Sequence, residues 1–144
     1  MEHNLERFII AQKGVFQTAL SELQHGRKQS HWMWFIFPQI QGLGFTDTAK
    51  LYAIQNLEEA NEFMQHRVLG PRLILISSVL LESETNDAHK IFGSPDDLKL
   101  HSSMTLFSKT TSADPVFSKV LDKFFGSRED NKTLKILSLL NLKD

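Results

Sequence analysis

Nowhere in this chain do apolar and polar residues alternate convincingly at a period of two; apolar side chains recur three and four positions apart instead. That spacing points to an all-α fold. Leu5, Phe8, Ile9, Phe16, Ala19, Leu20 and Leu23 share one helical stripe, with Asn4 as N-cap and Gly26 as C-terminal stop. Gln12 is polar yet sits within the stripe. It either hydrogen-bonds a buried loop carbonyl or points into a site.

The remaining punctuation is also helical. Ser30 can cap a short helix over 31–37, and Pro38 disfavours its continuation. Thr46 starts a helix running through Ile54, and Asn56 with Glu59 has capping-box spacing before a helix over 57–66. Pro71 suits the first turn of a helix over 71–82, apolar nearly all round and therefore placed centrally. Asn86 caps a short turn ending at Gly93. Ser94-Pro95-Asp96-Asp97 combines a cap, a proline at the first position and acids facing the helix dipole. Asp114-Pro115 repeats the device ahead of a stripe ending at Gly126, and a last helix covers 131–142 after Asp130. The expectation is a single compact orthogonal helical domain of about six to eight helices over residues 1–144. Only the segment 35–40 could instead pair as a strand.

Composition removes several function classes. A net charge of −1 argues against a dedicated nucleic-acid binder. The absence of cysteine excludes disulfides, thiolate metal sites and cysteine nucleophiles. No histidine pair falls at i,i+4 spacing on a clear helix, so no metal and no cofactor are expected. The start of the chain lacks an export signal, and no apolar run could span a bilayer. The expected location is cytoplasmic, without membrane attachment.

The residues that could carry chemistry cluster in GRKQSHWMWFIFPQIQGLG, which holds both tryptophans. Arg27 and Lys28 could bind an anion. Trp32 or Trp34 could stack on a flat ring. His31 could act as acid or base, and Gln39 could read a polar edge. Gly42 and Gly44 suit a backbone that approaches a ligand. Each has a plainer reading: an aromatic run is core, and cations after a helix end favour its dipole. The expected division buries Met33, Phe35, Ile36 and Phe37 and turns His31, one tryptophan and Gln39 toward a cavity. A second candidate is KLHSSMT, where Lys99, Ser102 and Ser103 could line a polar pocket, or the serines could bond the preceding turn. Arg72, at the start of a greasy helix, needs a partner such as Asp97 or a bound anion.

Four stretches, GRKQSHWMWFIFPQIQGLG, HRVLGPRL, IFGSPDDLKLHSSMTLF and KFFGSREDNKTLKIL, resemble an uncharacterised bacterial family. Its members are small, cytoplasmic and all-helical, and are sometimes labelled calpastatin. The resemblance implies a fold and no established reaction. The composition here is not that of a disordered calpain inhibitor. More distantly, the family is similar to the YbiA-like N-glycosidases, which act on ADP-ribose derivatives and riboflavin precursors. That likeness implies a small phosphorylated or nucleotide-like ligand. Its pyrophosphate would meet Arg27, Lys28 or Arg72, its base Trp32 or Trp34, and its anomeric carbon Asp47 or His31. The alternative is a non-catalytic interaction module presenting an exposed aromatic patch at 31–40. The sequence leaves the oligomeric state open.

Overall fold

The structure, a computed structural model, describes residues 3–142 and is almost entirely helical. In chain order its helices are α1 (Glu6–Gln12), α2 (Phe16–Gln24), α3 (Met33–Ile36), α4 (Asp47–Leu51), α5 (Leu57–Gln65), α6 (Leu69–Leu81), α7 (Ala88–Phe92), α8 (Asp96–Ser108), α9 (Pro115–Phe125) and α10 (Asn131–Leu142). Three of these, α3, α4 and α7, are single turns of four or five residues, which accounts for most of the excess over six to eight. The rest comes from a break in the first stripe. Gly14 adopts φ +72°, a left-handed conformation that ends one helix before Phe16 begins the next. The break sits where Gln12 turns inward to donate to the Phe35 carbonyl at 2.8 Å. Gln12 thus takes the first of its two readings.

Several caps act as their residue types dictate. Thr46 accepts from the Ala49 amide, Asn56 from the Glu59 amide, and Asp114 from the Val116 amide. Gly126 closes α9 in the left-handed region. Four expected caps differ. Leu5 rather than Asn4 precedes α1, and Trp32 rather than Ser30 precedes α3, neither with a side-chain cap bond. Ser94 does not cap α8, because Pro95 lies outside a helix that starts at Asp96, and Asp87 rather than Asn86 caps α7. The segment 35–40 forms no strand: one parallel bridge joins Ile40 to Ile54.

The second half of helix α8, more than α6, is enclosed on all sides. Ser102 through Phe107 are all buried, and α8 packs against α5, α7, α9 and α10. Hydroxyls make this possible. Ser102 and Thr105 donate to carbonyls of their own preceding turn, so neither needs an outside partner to be buried. Around this axis runs a chain of ring contacts, Phe8 to Phe63 at 5.1 Å, Phe63 to Phe107 at 5.3 Å and Phe107 to Phe117 at 6.0 Å. A second group joins Trp32, Phe37 and Phe92.

One buried ion pair fixes the connection between α4 and α5. Arg7 reaches Glu59 at 2.9 Å and also donates to the Leu51 and Ala53 carbonyls. Glu59 in turn accepts from the Gln55 amide at 2.8 Å. With its remaining oxygen sites satisfied in this way, the pair can be buried without an orphaned charge.

Helices α5 and α6 meet closely at Gly70, where an added Cβ would fall 2.1 Å from the Met64 carbonyl oxygen. The Met64 oxygen is backbone and cannot rotate aside, so relief requires one helix to move. Gly70→Ala is expected to destabilise the fold by about 1–3 kcal/mol, the cost of overpacking, read as a lower midpoint in urea unfolding.

Candidate functional site

The segment singled out by its composition divides sharply. Trp32, Met33, Ile36 and Phe37 are buried, Phe35 is half-buried, and Trp34 is the tryptophan that reaches a cavity. Trp32 is held by Glu22 at the end of α2. The Glu22 carboxylate accepts from the Trp32 indole at 2.9 Å, the Gln29 amide at 2.7 Å, the Ser30 amide at 3.0 Å and the Ser30 hydroxyl. Burial pushes this carboxyl up, but the Ser30 hydroxyl, the two amides and the indole together outweigh it and hold it at about 2.

Lys28 is likewise engaged by the protein. Its ammonium lies 2.9 Å from Asp96 and 5.0 Å from the Trp32 ring. Arg27 and His31 are exposed and line neither of the cavities beside Trp34. Asp47, also exposed, opens α4 and lies outside both. Arg72 meets the Gln12 amide oxygen at 3.1 Å and the Phe16 ring at 5.2 Å, so within the fold its partner is Gln12 rather than Asp97, and it lines neither cavity beside Trp34. Ser103 is fully buried, and its hydroxyl has no partner.

Four of the other candidates do converge. Trp34, Gln39, Lys99 and Ser102 line a cavity of about 550 Å³ between α8 and the loop preceding α4. A second cavity of about 380 Å³ adjoins it, sharing Trp34, Gln39, Gly44, Phe45 and Ala49. Both fall within the range of about 300–1,000 Å³ usual for small-molecule sites.

Local structure positions each wall. Gln39 is fixed twice: its carbonyl accepts from the Ile54 amide, and its side-chain amide donates to the Ser102 hydroxyl at 2.6 Å. Lys99 lies 4.8 Å from the Trp34 ring and 3.5 Å from Asp96, the same carboxylate that holds Lys28. Gly44 allows the loop to press onto α4, since a Cβ there would meet the Ala49 side chain at 2.6 Å. Phe45 follows it, 81% exposed at the boundary between the cavities.

Further lining residues lie beyond those the sequence marks as ligand contacts; of these the sequence marks only Asp130, with Thr133, and first as a helix cap. His101 stacks on Phe125 at 4.2 Å, and its Nε2 donates to the Arg128 carbonyl at 2.8 Å. In the neutral ring this leaves Nδ1 as an acceptor. Asp130 caps α10 as expected, accepting from the Thr133 hydroxyl and amide, yet it also lines the larger cavity beside Lys132. With Lys50 on the smaller cavity, the cleft carries three cations, one carboxylate and the aromatic faces of Trp34, Phe45 and Tyr52. That combination suits a flat ring carrying an anionic group.

The Glu22 node generates a pH prediction. Its carboxyl is depressed in the fold, so its stabilisation is complete above its ordinary value of 4.5 and lost as pH falls toward about 2. Glu22→Gln should destabilise the protein by about 1–3 kcal/mol at neutral pH, because amides and an indole lose a charged acceptor. Urea unfolding of both proteins from pH 7 downward should show the gap closing between 4.5 and about 2.

Comparison with known proteins agrees with an uncharacterised family. The chain is similar to the conserved hypothetical protein Rv1873 from Mycobacterium tuberculosis, a crystal structure, with 45% sequence identity and a TM-score of 0.91. The match covers 94% of this chain and 96% of that one. No curated protein matches at a significant level. Residues 2–137 match the family described as a protein of unknown function, DUF1810, and the chain belongs to that family.

Proposed function

We propose that the cleft beside Trp34 binds a small, flat, anionic ligand of the nucleotide class, such as an ADP-ribose or NAD derivative, and hydrolyses its N-glycosidic bond. The observation that carries this reading is the convergence of the Trp34 ring, the Lys99 ammonium 4.8 Å from it, and the Gln39–Ser102 pair on one cavity. Lys99 and Lys132 are the cations for a phosphate, in place of Arg27, Lys28 and Arg72. Trp34 and Phe45 offer surfaces for a ring.

For the chemical step the chain supplies Asp130 and His101 at the cavity rather than Asp47 and His31. In such a hydrolysis the C–N bond breaks with its electron pair going to the base, water adds to the anomeric carbon, and the one proton that water loses passes through the general base to solvent or, where the departing base needs one, to that base. Asp130 would face the positive charge that develops on the sugar, and His101 Nδ1 would take the proton from water.

A second reading, an interaction module using an aromatic patch at 31–40, has less surface to work with. Trp32, Met33, Ile36, Phe37 and Ile40 are all buried.

The test is a fluorescence and thermal-shift titration of the full chain with ADP-ribose, NAD and nucleoside phosphates. Binding should perturb Trp34, and Lys99→Ala should weaken it by about tenfold to a hundredfold, the range for a lost charge-assisted contact. Arg27→Ala should leave it unchanged. Asp130→Asn keeps an N-cap, so it should retain binding and lose turnover. No saturable response to any of these ligands would overturn the proposal.

A further inference from the structure

Away from the cleft, His3 lies against α5. The Leu5 amide donates to the His3 carbonyl at 3.0 Å, which fixes the backbone there. The His3 side chain is only 10% exposed, and its Nδ1 sits 2.7 Å from a Glu62 oxygen. Glu58 lies one turn earlier on the same helix, so both carboxylates share a face. One ligand atom from each of His3, Glu58 and Glu62 lies within 4.8 Å of the other two. None of the three lines the cleft.

We propose that His3, Glu58 and Glu62 form a binding site for a divalent transition-metal ion of the zinc class. Tetrahedral bonds of about 2.0–2.2 Å place ligand atoms roughly 3.3–3.6 Å apart. The separations here, from 2.7 Å to at most 4.8 Å, bracket that value, so small side-chain rotations close the site. An imidazole nitrogen with two carboxylates selects zinc or a neighbouring transition metal over calcium or magnesium, which prefer all-oxygen sets.

Charge supports the same assignment. Two carboxylates one turn apart repel each other, and among the described residues no hydrogen bond or ion pair engages the Glu58 side chain. Lys109 shares a groove with Glu58 but is paired with Glu129. A divalent ion relieves the repulsion and leaves a fourth position for water.

The experiment titrates chelator-stripped full-length protein with Zn²⁺ by calorimetry and with Co²⁺ by visible absorption. One saturable site should appear, with the intense d–d bands of low-coordinate cobalt. His3→Ala and Glu58→Gln should each weaken it by about tenfold or more, at least the cost of losing an outer-shell partner. Glu58→Gln is the cleaner variant, since among the described residues no hydrogen bond depends on that carboxylate, and its circular dichroism should match the parent. Unchanged Zn²⁺ affinity in both variants, or no saturable binding in the parent, would overturn the proposal.

Discussion

The Glu22 carboxylate is the contact on which the geometry of the cleft depends. It gathers two loop amides, a hydroxyl and an indole, and so converts the connection after α2 from a long loop into a fixed strut. Trp32 is thereby locked into the core, which sets the direction in which α3 leaves and turns the next tryptophan outward. Asp96 extends the strut. By holding Lys28 and Lys99 together, it couples the same loop to the first turn of α8. The two principal walls of the cleft are therefore registered to one another through carboxylates that never touch the cavity floor.

Helix α8 shows how polar residues can occupy the centre of a small fold. The hydroxyls of Ser102, Thr105 and Ser108 return to their own turn, which lets neighbouring helices pack closely around its second half. Ser102 still has an acceptor to offer, and Gln39 uses it from sixty-three residues away in sequence. One side chain thus belongs to the helix, the core and the cavity lining at once. Ser103, its immediate neighbour, has no such outlet and remains without a partner.

Much of the helical layout was legible because caps are local. Thr46, Asn56, Asp114 and Gly126 act within five residues of themselves, so sequence spacing is enough to place them. The break at Gly14 was not legible, because the apolar stripe runs through it and its counterpart is the distant Phe35 carbonyl. The site was half legible for the same reason. Arg27, Lys28, Trp32 and Trp34 are equally good residue types for a ligand or for a core. The choice among them is made by Glu22 and Asp96, whose roles are tertiary. Asp130 was readable as a cap, and the structure adds that the same carboxylate borders a cavity. The likeness to an uncharacterised all-helical family carried the fold correctly and carried no site residues with it.

The wall that bears Asp130 and Lys132 rests on α10, and among that helix's described residues only Thr133 is fully buried. The apolar side chains that hold it down, Ile136, Leu137 and Leu140, are only partly buried, so this helix opens more readily than the enclosed part of α8. A molecule whose last helix has swung away would keep its central packing and present half a cleft. Occupancy and helix docking are therefore coupled free energies. Whatever fills the cavity also protects the amides of the final turns from exchange with solvent, and whatever lifts the helix empties it.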